Sequence, residues 1–273
     1  MSIVALSQTL GSLGDEIGRA LAASLSYEFA DREIILRAAE QFGEGVTALE
    51  HLTEGKPTLW ERFSENKRRY LAYVEAVIWD FAARDNVVLV GRGATFVLRQ
   101  VRHALRVRIT APEYLRVRYL ENQRGLTPDT GELIRQSDRE RASRVRFLYH
   151  ASWDDPLHYD LVLNAERLDV PAAVRILQTS LQVERLTPTP TSLAEVTDLS
   201  LTARANAALL ANPITRELQL FFSCKSGDLS ISGRVVREEQ RRVAEEVCTT
   251  LSGVSRVLNE IVVVRAASSA APF

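Results

Sequence analysis

Over the first two thirds of the chain, short apolar runs alternate with stretches whose apolar residues recur at helical spacing. Ile3 to Leu6 reads as a strand, and Ile17, Leu21 and Leu25 behind it predict a helix over 15–25. A long polar and aromatic helical region runs from about Leu59 to Ala83. Asn86 to Val90 is a continuous apolar run that ends at Gly91, as in a strand buried on both faces. Leu105 to Ile109, with Arg106 and Arg108, reads as another strand. Pro112 to Gln123 reads as a helix with proline in its first turn. An arginine-rich helix follows over Glu132 to Tyr149, then a short strand over Asp160 to Asn164. A helix over Val170 to Val183 turns Val174, Leu177 and Leu181 to the core. This alternation predicts an α/β fold, a mostly parallel sheet covered by helices on both faces.

The texture changes at Leu186-Thr-Pro-Thr-Pro-Thr-Ser192, which has no hydrophobic period and reads as a semi-rigid linker. Beyond it come a helix (Leu199 to Leu210), a strand (Leu218 to Cys224), a turn at Ser226-Gly-Asp228 and an alternating strand (Leu229 to Val235). A helix (Glu238 to Leu251) and a last strand (Val257 to Val264) complete the pattern. The expected organisation is an α/β domain over 1–185, a linker over 186–196, a small α+β domain over 197–265 and a frayed tail over 266–273.

Composition narrows the function classes. The chain has 273 residues and a formal charge of -1, so bulk charge gives no support to nucleic-acid binding. Cys224 and Cys248 are far apart and outside any CxxC motif, so reduced, buried thiols are expected. The four histidines have no metal-ligand spacing, and no metal site is expected. No apolar run approaches the roughly 18 residues of a membrane span, and Ile3 to Leu6 is too short for a signal core. A cytoplasmic location is the default expectation.

Three segments carry candidate chemistry. The first is the glycine-spaced turn Gly11-Ser-Leu-Gly-Asp-Glu16, between the first strand and the first helix. Its backbone N–H groups and the helix dipole suit an anion. The turn lacks the lysine and the terminal Ser/Thr of a full phosphate loop. Ser12 and Asp15 also have the three-residue spacing of a capping box, and Asp15 and Glu16 favour the helix dipole while repelling phosphate. The second is Gly91-Arg92-Gly93, at the C-terminal end of a buried strand, where open α/β sheets bind ligands. The third is the helix carrying Arg135, Arg139, Arg141, Arg144 and Arg146. It reads either as a solvated, salt-bridged face or as a lid closing over a polyphosphate, with Arg116 and Arg118 on the same cleft.

In order and spacing these stretches resemble the cytidylate kinase-like family, a branch of the P-loop nucleoside monophosphate kinases. The resemblance rests on Ser7 to Ala22, Phe29 to Ile35, Val87 to Gly93, Arg106 to Arg118, Ser137 to Tyr149, Trp153 to Pro156 and Tyr159 to Asn164. It implies a P-loop three-layer α/β/α domain. It also implies transfer of the γ-phosphoryl group of ATP, with Mg2+, to CMP or dCMP. Asp31 and Arg32 would sit at the monophosphate side, Arg92 would grip the acceptor phosphate, and Arg139, Arg141 and Arg144 would neutralise the transferring group. Gly11, Ser12, Leu13, Gly14, Asp15, Glu16, Gly91 and Arg116 would complete the nucleotide site. The chain departs from the family at Gly14, near the family's lysine. It departs again at Gln8 and Asp15, where related loops carry arginine, and at Gly93, where cytidylate kinases place aspartate.

Residues 197 to 264 resemble a BON domain, through Leu229 to Val235 and Leu251 to Asn259, with marker glycines at Gly233 and Gly253. That implies a binding or regulatory module for an unknown ligand, membrane or protein partner. Two functional readings follow. One is a phosphotransferase acting on ATP and a nucleoside monophosphate. The other is a catalytically impaired pseudokinase that senses a nucleotide or serves as a scaffold. A nucleic-acid partner is not expected, and homo-oligomerisation is left open.

Overall fold

The computed structural model describes residues 2–54, 65–124 and 129–264. The chain divides into two compact units, Met1–Leu193 and Ala194–Phe273.

The first unit is built on five parallel strands: β1 (Ile3–Gln8), β2 (Glu28–Ala30), β3 (Val87–Val90), β4 (Ala104–Thr110) and β5 (Leu161–Asn164). Their order across the sheet is β2-β3-β1-β4-β5. The central strand β1 pairs Ile3 to Leu6 with Val87 to Val90 on one side, and Ile3 to Gln8 with Ala104 to Ile109 on the other. Side chains alternate across a strand, so burial on both faces calls for an apolar residue at every position of Ile3 to Leu6 in β1 and of Val87 to Val90 in β3. Val4, Leu6, Val88, Val90, Leu105 and Val107 form one core with Ile17 and Leu21 of α1 (Gly14–Leu25) and Val174 and Leu177 of α8 (Val170–Ser180). The intervening Ile3, Ala5, Val87 and Leu89 are equally buried. The 20-residue helix α4 (Glu65–Arg84) packs on β3 and on α2 (Arg32–Phe42).

The region between residues 25 and 65 escaped the periodicity reading. It holds β2, α2 and α3 (Val46–Glu54). β2 is a three-residue edge strand, too short to show a period of two. Part of the expected helix over 59–83 lies outside the described residues, as does the tail over 266–273; the helix is seen as α4 from Glu65. A single turn, α5 (Ala94–Val97), follows β3, and α6 (Glu113–Arg124) and α7 (Thr130–Tyr149) follow β4. α6 and α7 are tied by Arg116, which is 5% exposed and donates two hydrogen bonds to Asp138 Oδ2, at 2.8 and 2.7 Å. Burial is the largest influence on both partners, lowering the arginine's pKa and raising the aspartate's against their mutual attraction.

In the second unit, β6 (Leu220–Lys225), β7 (Asp228–Val235) and β8 (Arg256–Val263) form a sheet in that order. β6–β7 is antiparallel and β7–β8 parallel. The helices α9 (Pro190–Ala211) and α10 (Glu238–Thr249) supply Ala205, Leu209, Ala244 and Cys248 to its core, against Leu229 and Ile231. Both cysteines are free, and burial pushes their thiols up to about 11 (Cys224) and about 12 (Cys248). Helix α9 begins at Pro190, inside the stretch read as linker and ahead of the expected Leu199. The reason is a reciprocal cap. Thr189 N–H donates to Ser192 Oγ at 2.9 Å, Ser192 N–H donates to Thr189 Oγ1 at 3.1 Å, and Pro190 takes the first helical position. Among the described residues no helix is long and apolar enough to cross a membrane.

Two predictions concern stability. Removing one partner of a buried pair strands the other charge, so Asp138→Ala should destabilise the first unit by about 3 kcal/mol. Arg116→Met combined with Asp138→Leu should recover most of that loss, as read by urea denaturation. The second concerns Glu75 on α4, where burial outweighs the pull of Arg99 and raises the carboxyl to about 7. Between pH 4.5 and 7 the unfolded chain ionises Glu75 while the folded chain keeps it protonated. Stability should therefore fall as pH rises through that window, by on the order of 3 kcal/mol, and level off above it. Glu75→Gln should flatten this slope in denaturation measured from pH 4.5 to 8.

Candidate functional site

The C-terminal ends of β1, β3 and β4 converge, and three segments meet there. From β3 the chain turns through Gly91, Arg92 and Gly93, with φ of 73°, 54° and 78°. Three successive left-handed residues bend the backbone sharply, and a non-glycine residue in that region is strained, so glycine on either side of Arg92 lowers the cost. The turn folds the Arg92 side chain inward to 6% exposure, 3.7 Å from Asp31 Oδ1 at the start of α2.

From the far side, α7 brings Arg141, Arg144, Val145, Leu148 and Tyr149 over the same place. Arg144 is buried. The resulting cleft holds a cavity of about 50 Å³ that opens to solvent, with Gly91, Arg92, Phe96 and Trp153 among the residues that complete its walls. Three guanidinium groups and no carboxylate line it among the described residues. The aromatic wall is ordered: Phe96 stacks on Tyr149 with ring centroids 5.2 Å apart, and Trp153 Nε1 donates to Ser7 Oγ at 2.9 Å. A buried anion needs charged or N–H partners, and a planar group needs an apolar face. This cleft offers both.

The loop between β1 and α1 forms a neighbouring surface. Gly11 (φ 80°) lies against Arg116 and Leu120 of α6, where a β-carbon would come within 3.0 Å of the Arg116 carbonyl oxygen. Leu13 takes a left-handed φ of 65° at the N-cap of α1, and no side chain caps that helix. The expected Ser12–Asp15 capping box is therefore absent. Ser12 Oγ instead donates to the carbonyls of Thr9 (2.8 Å) and Ile109 (3.1 Å), fastening the loop to β4. Asp15 accepts from Gln8 Nε2 at 2.6 Å. Gln8 lies so close to Gly14 that a β-carbon there would overlap Gln8 Oε1 and come within 2.7 Å of the Gln8 Cβ. Glu16 accepts from the Tyr119 hydroxyl. At the loop a second cavity, of about 280 Å³, is lined by Gly11, Ser12 and Leu13 with Leu115, Arg118, Tyr119 and Asn122.

Not every expected site residue reaches these cavities. Arg92, Arg141, Arg144 and Gly91 line the arginine cleft, with Asp31 behind Arg92. Arg139 does not. It is 63% exposed and donates to Glu132 Oε1 at 2.6 Å along its own helix, the solvated salt-bridge role. Arg32 is also exposed and pairs with Glu50 at 3.1 Å. Arg116 is committed to Asp138. Asp15 and Glu16 are engaged by Gln8 and Tyr119 as above.

One residue that supports the cleft was not singled out from sequence. Arg108 of β4 is 8% exposed, donates to the Trp153 carbonyl at 2.6 Å and to Asp154 Oδ1 at 2.5 Å, and lies 4.0 Å from the Trp153 ring. It clamps the tryptophan that walls the cleft. Its sequence signal was an arginine near the C-terminal end of an otherwise inward-facing strand. Among the described residues no group of three His, Cys, Asp or Glu side chains is placed to hold a metal. The Ser12 hydroxyl is turned inward to the Thr9 and Ile109 carbonyls, and the Thr9 hydroxyl faces Thr110 Oγ1 at 3.4 Å.

The comparisons agree with this architecture. The profile of the cytidylate kinase-like family matches residues 3–167, and that of the BON domain matches residues 197–265. Among solved structures, an uncharacterized protein from Eubacterium ventriosum is 16% identical, with a TM-score of 0.52. The match covers 67% of this chain and 100% of that one, and it shows a shared fold. A shikimate kinase from Bacteroides thetaiotaomicron is 19% identical (TM-score 0.45), covering 67% of this chain and 99% of that one. A gluconokinase from Sinorhizobium meliloti is 16% identical (TM-score 0.42), covering 66% and 91%. No curated protein matches. With its family profile spanning more than half of the chain, from β1 through β5, the protein belongs to the cytidylate kinase-like family and carries a C-terminal BON domain.

Proposed function

We propose that the chain binds a nucleoside monophosphate, of the CMP or dCMP kind by resemblance, with its phosphate on Arg92, Arg141 and Arg144. ATP then binds across Gly11 to Gly14 and donates its γ-phosphoryl group. The observation that carries this reading is the cleft at the strand ends, lined by three arginines and no carboxylate among the described residues, together with a second cavity at the glycine loop. The second cavity, with Arg118, Tyr119 and Asn122 beside the loop backbone, would take the base of ATP.

In the reaction, an oxygen of the acceptor phosphate attacks the γ-phosphorus, and the bond to the β–γ bridging oxygen breaks. ADP leaves as the nucleoside diphosphate forms. The chain's part is to align the two phosphates and to neutralise the equatorial oxygens with Arg141 and Arg144. Magnesium would arrive on the phosphates of ATP. A missing oriented donor costs roughly 3 kcal/mol, about a hundredfold, so turnover without the loop lysine is expected to be slow.

A second reading rests on a specific contact. Gln8 bonded to Asp15 and pressed on Gly14 occupies the side of the loop where a lysine would reach the phosphates. Under this reading the arginine cleft still binds the monophosphate, and the protein acts as a sensor or scaffold. The BON domain is assigned a binding or regulatory role in both readings. Its sheet leaves Phe221 and Val262 exposed, at 71% and 57%.

Calorimetry with CMP and with ATP–magnesium, followed by a coupled phosphotransfer assay, tests these readings. CMP should bind at sub-millimolar concentration, and Arg92→Ala should weaken it by roughly 10- to 100-fold, the loss of charge-assisted hydrogen bonds. Turnover on CMP or dCMP by the wild-type chain supports the kinase reading. Binding without turnover on any monophosphate supports the sensor reading. No binding of either nucleotide overturns both.

A further inference from the structure

The position-93 side chain is missing, and a tyrosine from another element stands in its place. A β-carbon on Gly93 would overlap the Tyr149 hydroxyl and come within 2.7 Å of two ring carbons. Gly93 has φ 78°, so its backbone also disfavours a side chain. Position 93 thus has no side chain of its own, and the last residue of α7 fills the space between β3 and the cleft. The tyrosine ring is fixed by its stack on Phe96, at 5.2 Å and 11° between planes. Phe96 in turn meets Tyr159 edge-on at 6.3 Å, within one buried cluster that includes Val145 and Trp153.

The phenol is therefore held rigid, and its rotation is limited by ring packing. Its hydroxyl is not engaged by any described residue, and the side chain lines the arginine cleft. Burial and the nearby Glu75 push its pKa above the ordinary tyrosine value, so it keeps its proton throughout the physiological range. Tyr149 thus brings a protonated, rigid, unengaged O–H, with Glu75 as its charged neighbour, to the wall of a cleft that three guanidinium groups also line, where it is a directional donor. Guanidinium groups grip a phosphate whatever it is attached to. A single neutral hydroxyl on the cleft wall adds a directional hydrogen bond, the kind of contact that tells one organic group from another.

We propose that Tyr149 is the specificity-determining residue of the arginine cleft, donating its hydroxyl hydrogen to a carbonyl or hydroxyl oxygen on the sugar or base of the bound monophosphate. This rests on the proposed monophosphate site. It assigns phosphate affinity to Arg92, Arg141 and Arg144, and discrimination of the organic part to Tyr149. In this arrangement Gly93 is a permissive residue, because any side chain there would displace the phenol.

The test is calorimetry of the full chain and of Tyr149→Phe with CMP and with inorganic phosphate. Phenylalanine keeps the ring, the stack on Phe96 and the fold, and thermal melts verify this before titration. The expected result is a loss of about tenfold or more in CMP affinity with phosphate affinity unchanged, as for a buried donor removed from a site built around it. Equal CMP affinity in both proteins overturns the role of Tyr149 and leaves the monophosphate site standing. A parallel loss for CMP and phosphate also overturns it, because the residue would then act only through the shape of the arginine cleft. Failure of the wild-type chain to bind CMP at all overturns the underlying site itself.

Discussion

Burying arginine is expensive, and four arginines are withdrawn from water near the C-terminal end of this sheet. Arg92, Arg108, Arg116 and Arg144 all have their side chains or whole residues below one tenth exposed. Each guanidinium would cost several kcal/mol to desolvate without compensation. The fold brings Asp31 from the start of α2 to Arg92, Asp154 to Arg108 and Asp138 to Arg116. This need ties α2 to the β3 turn, β4 to the segment after α7, and α6 to α7. Those same ties shape the cleft, so the electrostatics of folding and of the candidate site share one set of contacts.

Much of this was legible in the chain. The all-apolar runs at 3–6 and 87–90 announced buried parallel strands, and the glycines around Arg92 marked a turn at a strand end. The arginine-rich helix over residues 132–149 was legible as a helix, but not the direction of each side chain. Arg139, Arg141 and Arg144 lie on one helix, yet only the last two face the cleft, because Arg139 finds Glu132 on the solvent side. Two residues along the helix, about half a turn, decide between a salt-bridged surface and a candidate anion site. The short β2 and the reciprocal Thr189–Ser192 cap were missed for a related reason. Each depends on contacts of a few residues that leave no period in the sequence.

The loop after β1 shows how a local motif can keep its geometry and change its chemistry. Gly11 is still needed where the backbone passes Arg116, and Ser12 still fixes the loop to β4. Gln8 and Asp15, however, hydrogen-bond to each other where a basic residue would project.

The central claim is that the arginine cleft is the site of the monophosphate. The measurement that tests it most directly is a crystal structure of the full chain with CMP bound. The account predicts the phosphate within hydrogen-bond reach of Arg92, Arg141 and Arg144, and the nucleoside against the Phe96–Tyr149 wall. A nucleotide seated elsewhere, or a phosphate held by the exposed Arg139 and Arg32 instead, would contradict it.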